Sequence, residues 1–161
     1  MEEKPLHSSF VTNNLVLGTA QSDVNYGAFG GASSEAVFKG IVESADLLGL
    51  KSLDTASGYK ASERLIGESS WSGVVDTKIS MARSPHEQIM SSIERLGKKK
   101  IDTVYIHEAK PSEVHPNWLS QLIELRQDGF FDRVGASIYE REEFNFCKND
   151  ERFDVIQFPL S

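Results

Sequence analysis

A phenol, an ammonium, a carboxylate and an imidazole stand in this chain where they could act on one another: Tyr59, Lys78, Asp54 and His107. Asp54 and Tyr59 share the segment LDTASGY, Lys78 closes VVDTK, and His107 follows VYI. A phenol has an ordinary pKa of about 10, so it is a poor acid–base catalyst at neutral pH unless a nearby cation stabilises its anion. Lys78 could supply that cation, Asp54 could fix the lysine, and His107 could orient a carbonyl. The chemistry this set suggests is proton donation by a tyrosine.

The elements that must position these groups alternate. Short β-branched runs at Asn14–Ala20, Ser52–Ala56, Val74–Ile79, Thr103–Glu108, Arg133–Tyr139 and Val155–Leu160 read as strands. Helical patterns separate most of them. Val37, Ile41, Ala45 and Leu48 follow helical spacing, with Ser33 or Ser34 as N-cap and Gly49 past the end. The segment SPHE from Ser84 combines a capping box with proline at the first helical position, and Gly97 stops the helix that carries Ile89, Ile93 and Leu96. Pro116 opens a helix with Leu119, Leu122 and Ile123 that ends at Gly129, and a shorter one is expected near Arg141–Lys148. Strand–helix alternation implies an α/β fold with a parallel sheet, either doubly wound or part of a (β/α)8 barrel. In both, chemistry belongs at the C-terminal ends of strands, and the four groups fall at or just after the second, third and fourth strand ends.

The totals bound the rest. At 161 residues, 39% hydrophobic and 25% charged, the chain reads as one soluble globular domain covering residues 1–161. A net charge of −7 disfavours nonspecific binding to nucleic acid or anionic membrane. The one cationic cluster, Lys98–Lys100, reads as a solvated helix terminus. A single cysteine, Cys147, forms no internal disulfide, fits a reducing compartment, and reads as a small buried or half-buried residue rather than a nucleophile. The opening residues lead into no apolar run of signal-peptide length, and no stretch approaches the ~18 apolar residues of a membrane span, so a cytoplasmic location is expected.

Several residues have blander readings. Alone, Asp54 would be a turn or cap residue, and only its company makes it a candidate. Glu108 adjoins His107, but neighbouring strand residues face opposite sides, which disfavours an Asp54/Glu108 hydrolase pair. His7, His86 and His115 lack metal-ligand spacing. Gly27, Gly30 and Gly31 form a loose loop rather than a dinucleotide fingerprint. Trp71 and Trp118 could border a pocket or pack helices, with packing the better reading for Trp118.

Taken in order, these segments resemble the aldo-keto reductase superfamily. The most specific piece is LDTASGYKASE from Leu53 to Glu63, with its Asp, Tyr and downstream Ser-Glu. Lys78 and His107 match the family's other catalytic positions, RVGASIY from Arg133 resembles its fifth-strand segment, and Gln157 its sixth-strand glutamine. Ile138 after Ser137, with GTAQ from Gly18, looks more like a bacterial branch of the family. The resemblance implies a (β/α)8 barrel and NADPH-dependent reduction of an aldehyde or ketone, without a metal. It implies catalytic roles for Asp54, Tyr59, Lys78 and His107, and cofactor contacts at Gly18, Thr19, Ser137 and Gln157. About six βα units are accounted for, whereas this barrel class has eight. Two consequences are expected: the sheet edges are open to self-association or to a complementing chain, and the alternative to a small-molecule carbonyl reductase is an inactive shortened barrel serving interaction, regulation or assembly.

Overall fold

Residues 15–20, 35–59, 61–110 and 114–160 are described by the computed structural model of the chain. The glycine loop at Gly27–Gly31, the capping serines Ser33 and Ser34, and His7 lie outside the described residues. Six strands, β1 (Val16–Gly18), β2 (Ser52–Asp54), β3 (Val74–Ile79), β4 (Ile101–Ile106), β5 (Phe131–Ser137) and β6 (Val155–Gln157), form one sheet in chain order. Every neighbouring pair is parallel. A doubly wound sheet reverses its strand order at a switch point. Here the order never reverses, so the architecture is that of an incomplete (β/α)8 barrel, with α1 (Glu35–Leu47), α2 (Ser62–Gly67), α3 (Pro85–Leu96), α4 (Pro116–Gln127) and α5 (Arg141–Cys147) in the crossovers.

Register sorts the side chains into two faces. Paired residues of a parallel sheet point the same way, and alternate residues point oppositely. The pairs Asp54↔Asp76, Lys78↔Tyr105, Tyr105↔Gly135 and Ser137↔Gln157 therefore share one face, the barrel interior. Leu53, Val75, Ile79, Val104, Ile106, Val134 and Ala136 share the other, and all are buried in the apolar layer beneath the helices. Burying one such aliphatic side chain is worth about 1.5–3 kcal/mol, so this layer carries the fold and leaves the interior for polar groups.

Local signals explain the helix limits. The Ser84 hydroxyl accepts from the Glu87 amide, Pro85 opens α3, and Gly97 ends it at φ 61°, a left-handed conformation that favours glycine. Gly129 does the same after α4 at φ 86°. Trp118 packs as expected, with its indole N–H donating to the Arg83 carbonyl at 2.8 Å, and Trp71 is likewise buried. The lysine cluster is less free than a solvated terminus: Lys98 donates to the Gly73 carbonyl at 3.0 Å and Lys100 pairs with Asp132 at 2.5 Å.

α1 departs from expectation. Its buried residues are Phe38, Val42 and Ala45, whereas Val37 and Ile41 are 52% and 47% exposed. Two apolar stripes of helical spacing lie side by side, and the sheet takes the one that carries the phenylalanine. The other lines a groove of about 560 Å³ with Leu17, Leu48 and Leu50. Among the described residues, no helix is long and apolar enough to cross a membrane.

Candidate active site

The sheet delivers the four groups to one place. Asp54 is the last residue of β2, Lys78 the penultimate residue of β3, and His107 the first after β4. Tyr59 stands in the turn between β2 and α2. That turn is fastened to β3 by its backbone, since the Thr55 amide donates to the Asp76 carbonyl and the Ser57 amide to the Lys78 carbonyl, both at 2.9 Å. The Tyr59 amide donates to the Ala56 carbonyl at 3.0 Å, and its carbonyl accepts from the Ser62 amide at 2.8 Å.

Lys78 is 4% exposed. Its ammonium makes an ion pair with the Asp54 carboxylate and donates to the Thr55 carbonyl at 3.2 Å. A charge so far from water is tolerable only when paired in this way. Two phenols flank it: the Tyr59 ring centroid lies 5.9 Å from Nζ and the Tyr105 centroid 5.8 Å. They are not equivalent. Burial first, then the Asp76 and Asp54 charges, push the Tyr105 phenol up to about 12, which makes it a poor proton donor at neutral pH. Tyr59 is the phenol at the mouth, with its ring edge-on to His107 at 6.0 Å between centroids and 82° between planes.

Burial, and then the Lys78 cation, lower the His107 pKa below its ordinary 6.5, which keeps the imidazole neutral at pH 7. A neutral imidazole donates from one ring nitrogen only, which suits a hydrogen bond to a carbonyl oxygen. Its amide donates to the Ile79 carbonyl at 3.0 Å, so His107 is held by the lysine's own strand. Glu108 is turned outward and pairs with Lys110 at 3.2 Å, so it forms no pair with Asp54. His86 and His115 are exposed, at the start of α3 and just before α4.

Sequence reasoning missed Tyr105 and Asp76. Both were legible as residues two positions before His107 and Lys78, hence on the same face. Asp76 is 6% exposed, and one of its carboxylate oxygens has no hydrogen-bond partner among the described residues. Burial raises its pKa.

The residues expected to hold a cofactor lie along the same C-terminal edge. Ser137 is buried and stands in register with Gln157. A hydroxyl and a carboxamide side by side both donate and accept, which matches a primary carboxamide such as that of nicotinamide. Thr19 spends its hydroxyl proton on the Asp54 carbonyl at 3.0 Å. Gly18 is the last residue of β1, and a side chain begun there would meet nothing within 4 Å. The Ser137–Gln157 pair fits a nicotinamide on donor and acceptor chemistry, and Thr19 braces Asp54.

Residues 14–160 match the model of the aldo/keto reductase family. The chain belongs to that family. No curated protein matches it. Among solved structures it is similar to the holo form of an aldo-keto reductase from Bacillus halodurans, with TM-score 0.75 and 19% identity over 91% of this chain and 53% of that one. It is also similar to an aldose reductase from Giardia lamblia (TM-score 0.68, 15% identity, 90% and 57% covered). A glycerol dehydrogenase from Gluconobacter oxydans is a third such structure (TM-score 0.67, 24% identity, 90% and 50% covered). Identities this low show likeness of fold. The chain spans about half the length of these three proteins.

Proposed function

We propose that the chain carries the proton-donating half of a carbonyl reductase that uses NADPH to reduce an aldehyde or ketone. The observation that carries this reading is the buried Lys78–Asp54 pair set against Tyr59 at the C-terminal edge of a parallel barrel sheet. A reduced nicotinamide, when bound, supplies hydride to the carbonyl carbon. The chain's own residues manage the oxygen. Tyr59 donates the phenolic proton to it, and the Lys78 ammonium stabilises the phenolate left behind. Asp54 holds Lys78 in place through their ion pair. Neutral His107 donates a hydrogen bond to the same oxygen and fixes its direction. For this work the phenol must be brought ~2–3 units towards neutrality.

Ser137 and Gln157 are the residues proposed to hold the nicotinamide carboxamide. Titration with NADPH, followed by nucleotide fluorescence and compared with NADH, tests the reading. Saturable micromolar binding with NADPH preferred supports it. No binding at millimolar cofactor, in a sample shown to be folded, would instead favour an inactive barrel piece serving interaction or assembly.

A further inference from the structure

Two attachments to consecutive residues of β3 bracket Tyr59. Before it, the Ser57 amide donates to the Lys78 carbonyl at 2.9 Å. After it, the Glu63 carboxylate accepts from the Thr77 hydroxyl at 2.7 Å. The first is backbone to backbone and survives any side-chain change. The second is made by side chains alone.

Glu63 is 2% exposed. Its other oxygen accepts from Arg95 Nε at 2.7 Å and lies 2.5 Å from Nη2, and that guanidinium is braced in turn by the Ser91 and Ser92 hydroxyls. An acid in the first turn of a helix gains from the helix dipole even when solvated. The dipole therefore does not explain why this one is buried, where an unpaired carboxylate is costly and every lone pair must be met. Thr77 points outward beneath the helices while Lys78 points into the barrel, so the Glu63 carboxylate grips the back of the strand that presents the catalytic lysine. α2 and α3 also meet too closely for a side chain at Gly67, where a Cβ would fall 2.3 Å from the Arg95 carbonyl oxygen. α2 is thus held at its start by Glu63 and at its end by the close approach at Gly67.

We infer that Glu63 is a positioning residue: by tying the start of α2 to Thr77, with Arg95 neutralising it, its carboxylate sets where Tyr59 stands against Lys78 and His107. The inference rests on Tyr59 being the proton donor, but its geometry can be read without turnover. The readout is the ring-proton resonances of His107, which the edge-on Tyr59 ring displaces. Tyr59→Leu gives the undisplaced positions. Thr77→Val, which keeps the Glu63–Arg95 pair, and Glu63→Gln should both move the His107 resonances towards those positions. With a carbonyl substrate, kcat should fall about 10- to 100-fold while KM holds. Lys39→Ala removes only the exposed pair with Glu68 beyond the other end of α2 and should move neither. His107 resonances unchanged in folded Thr77→Val would overturn the inference, and that mild variant decides the matter should Glu63→Gln fail to fold. Absent turnover in the unsubstituted chain would instead count against the reductase reading, while the ring readout still decides the positioning role.

Discussion

Lys78 and Asp54 form a buried ion pair between adjacent strands, the lysine 4% and the aspartate 16% exposed in their side chains. Lys78 stands two positions beyond Asp76, the residue in register with Asp54, so its ammonium leans back along the strand to reach the Asp54 carboxylate. The same cation faces the Tyr59 ring, 5.9 Å from its centroid.

Removing either partner alone should cost more than removing both. Lys78→Met leaves a carboxylate without its cation in the barrel interior, and a loss of about 3 kcal/mol is expected. Asp54→Asn should cost less, because Lys78 keeps the Thr55 carbonyl and the asparagine side-chain oxygen can still accept from it. The double variant should recover part of the Lys78→Met loss. Denaturant unfolding of the four proteins measures this cycle.

His107 should make stability depend on pH below neutrality. Its folded pKa lies below 6.5 through burial and the Lys78 cation, against the smaller opposing pull of Glu108 and Asp54. As pH falls, the unfolded chain takes up the proton first, so the folded state loses stability. Stability should therefore decline as pH falls below about 7.5, through 6.5 and on to the lowered folded pKa, and His107→Asn should flatten that decline. An equal slope in both proteins would assign the effect to other groups.

Gly135 is required by the ring it faces. A Cβ there would lie 2.4 Å from Tyr105 Cδ1, so Gly135→Ala must push that ring towards Lys78. A loss of about 1–3 kcal/mol is expected. Gly40, inside α1 with nothing within 4 Å of its added Cβ, should do the opposite, gaining about 0.5–1 kcal/mol as alanine. Melting temperatures of the two variants test the contrast.

Cys147 should be inert in the folded chain. It is 2% exposed, and burial, with Asp150 and Glu143 nearby, pushes its thiol up to about 11. A thiol held protonated is a poor nucleophile. Alkylation at neutral pH should therefore follow global unfolding, and fast labelling of native protein would contradict this.

Much of this was legible in the sequence because it is local. Ser84, Pro85 and Gly97 mark α3 through chemistry confined to their own turns, and β-branched runs mark β3 to the residue. The strands at Asn14–Ala20 and Val155–Leu160 proved shorter, because residues beyond the paired core leave the ladder without changing in type. The buried face of α1 was misread since two apolar stripes differ by one residue, and only the sheet chooses between them. For the candidate site, motif spacing brought Asp54, Tyr59, Lys78 and His107 to notice. The two-residue strand period that places Asp76 and Tyr105 on the same face was there to be read, but it could not show that Glu63 reaches Thr77, because packing between α2 and β3 decides that contact.

The central claim is that Tyr59 donates the proton, and Tyr59→Phe tests it most directly. The change removes one oxygen and leaves the ring that meets His107. With NADPH and a carbonyl substrate, wild-type turnover should fall by about 100-fold or more in Tyr59→Phe, with nucleotide binding retained. Turnover equal to wild type in the folded variant would contradict the account.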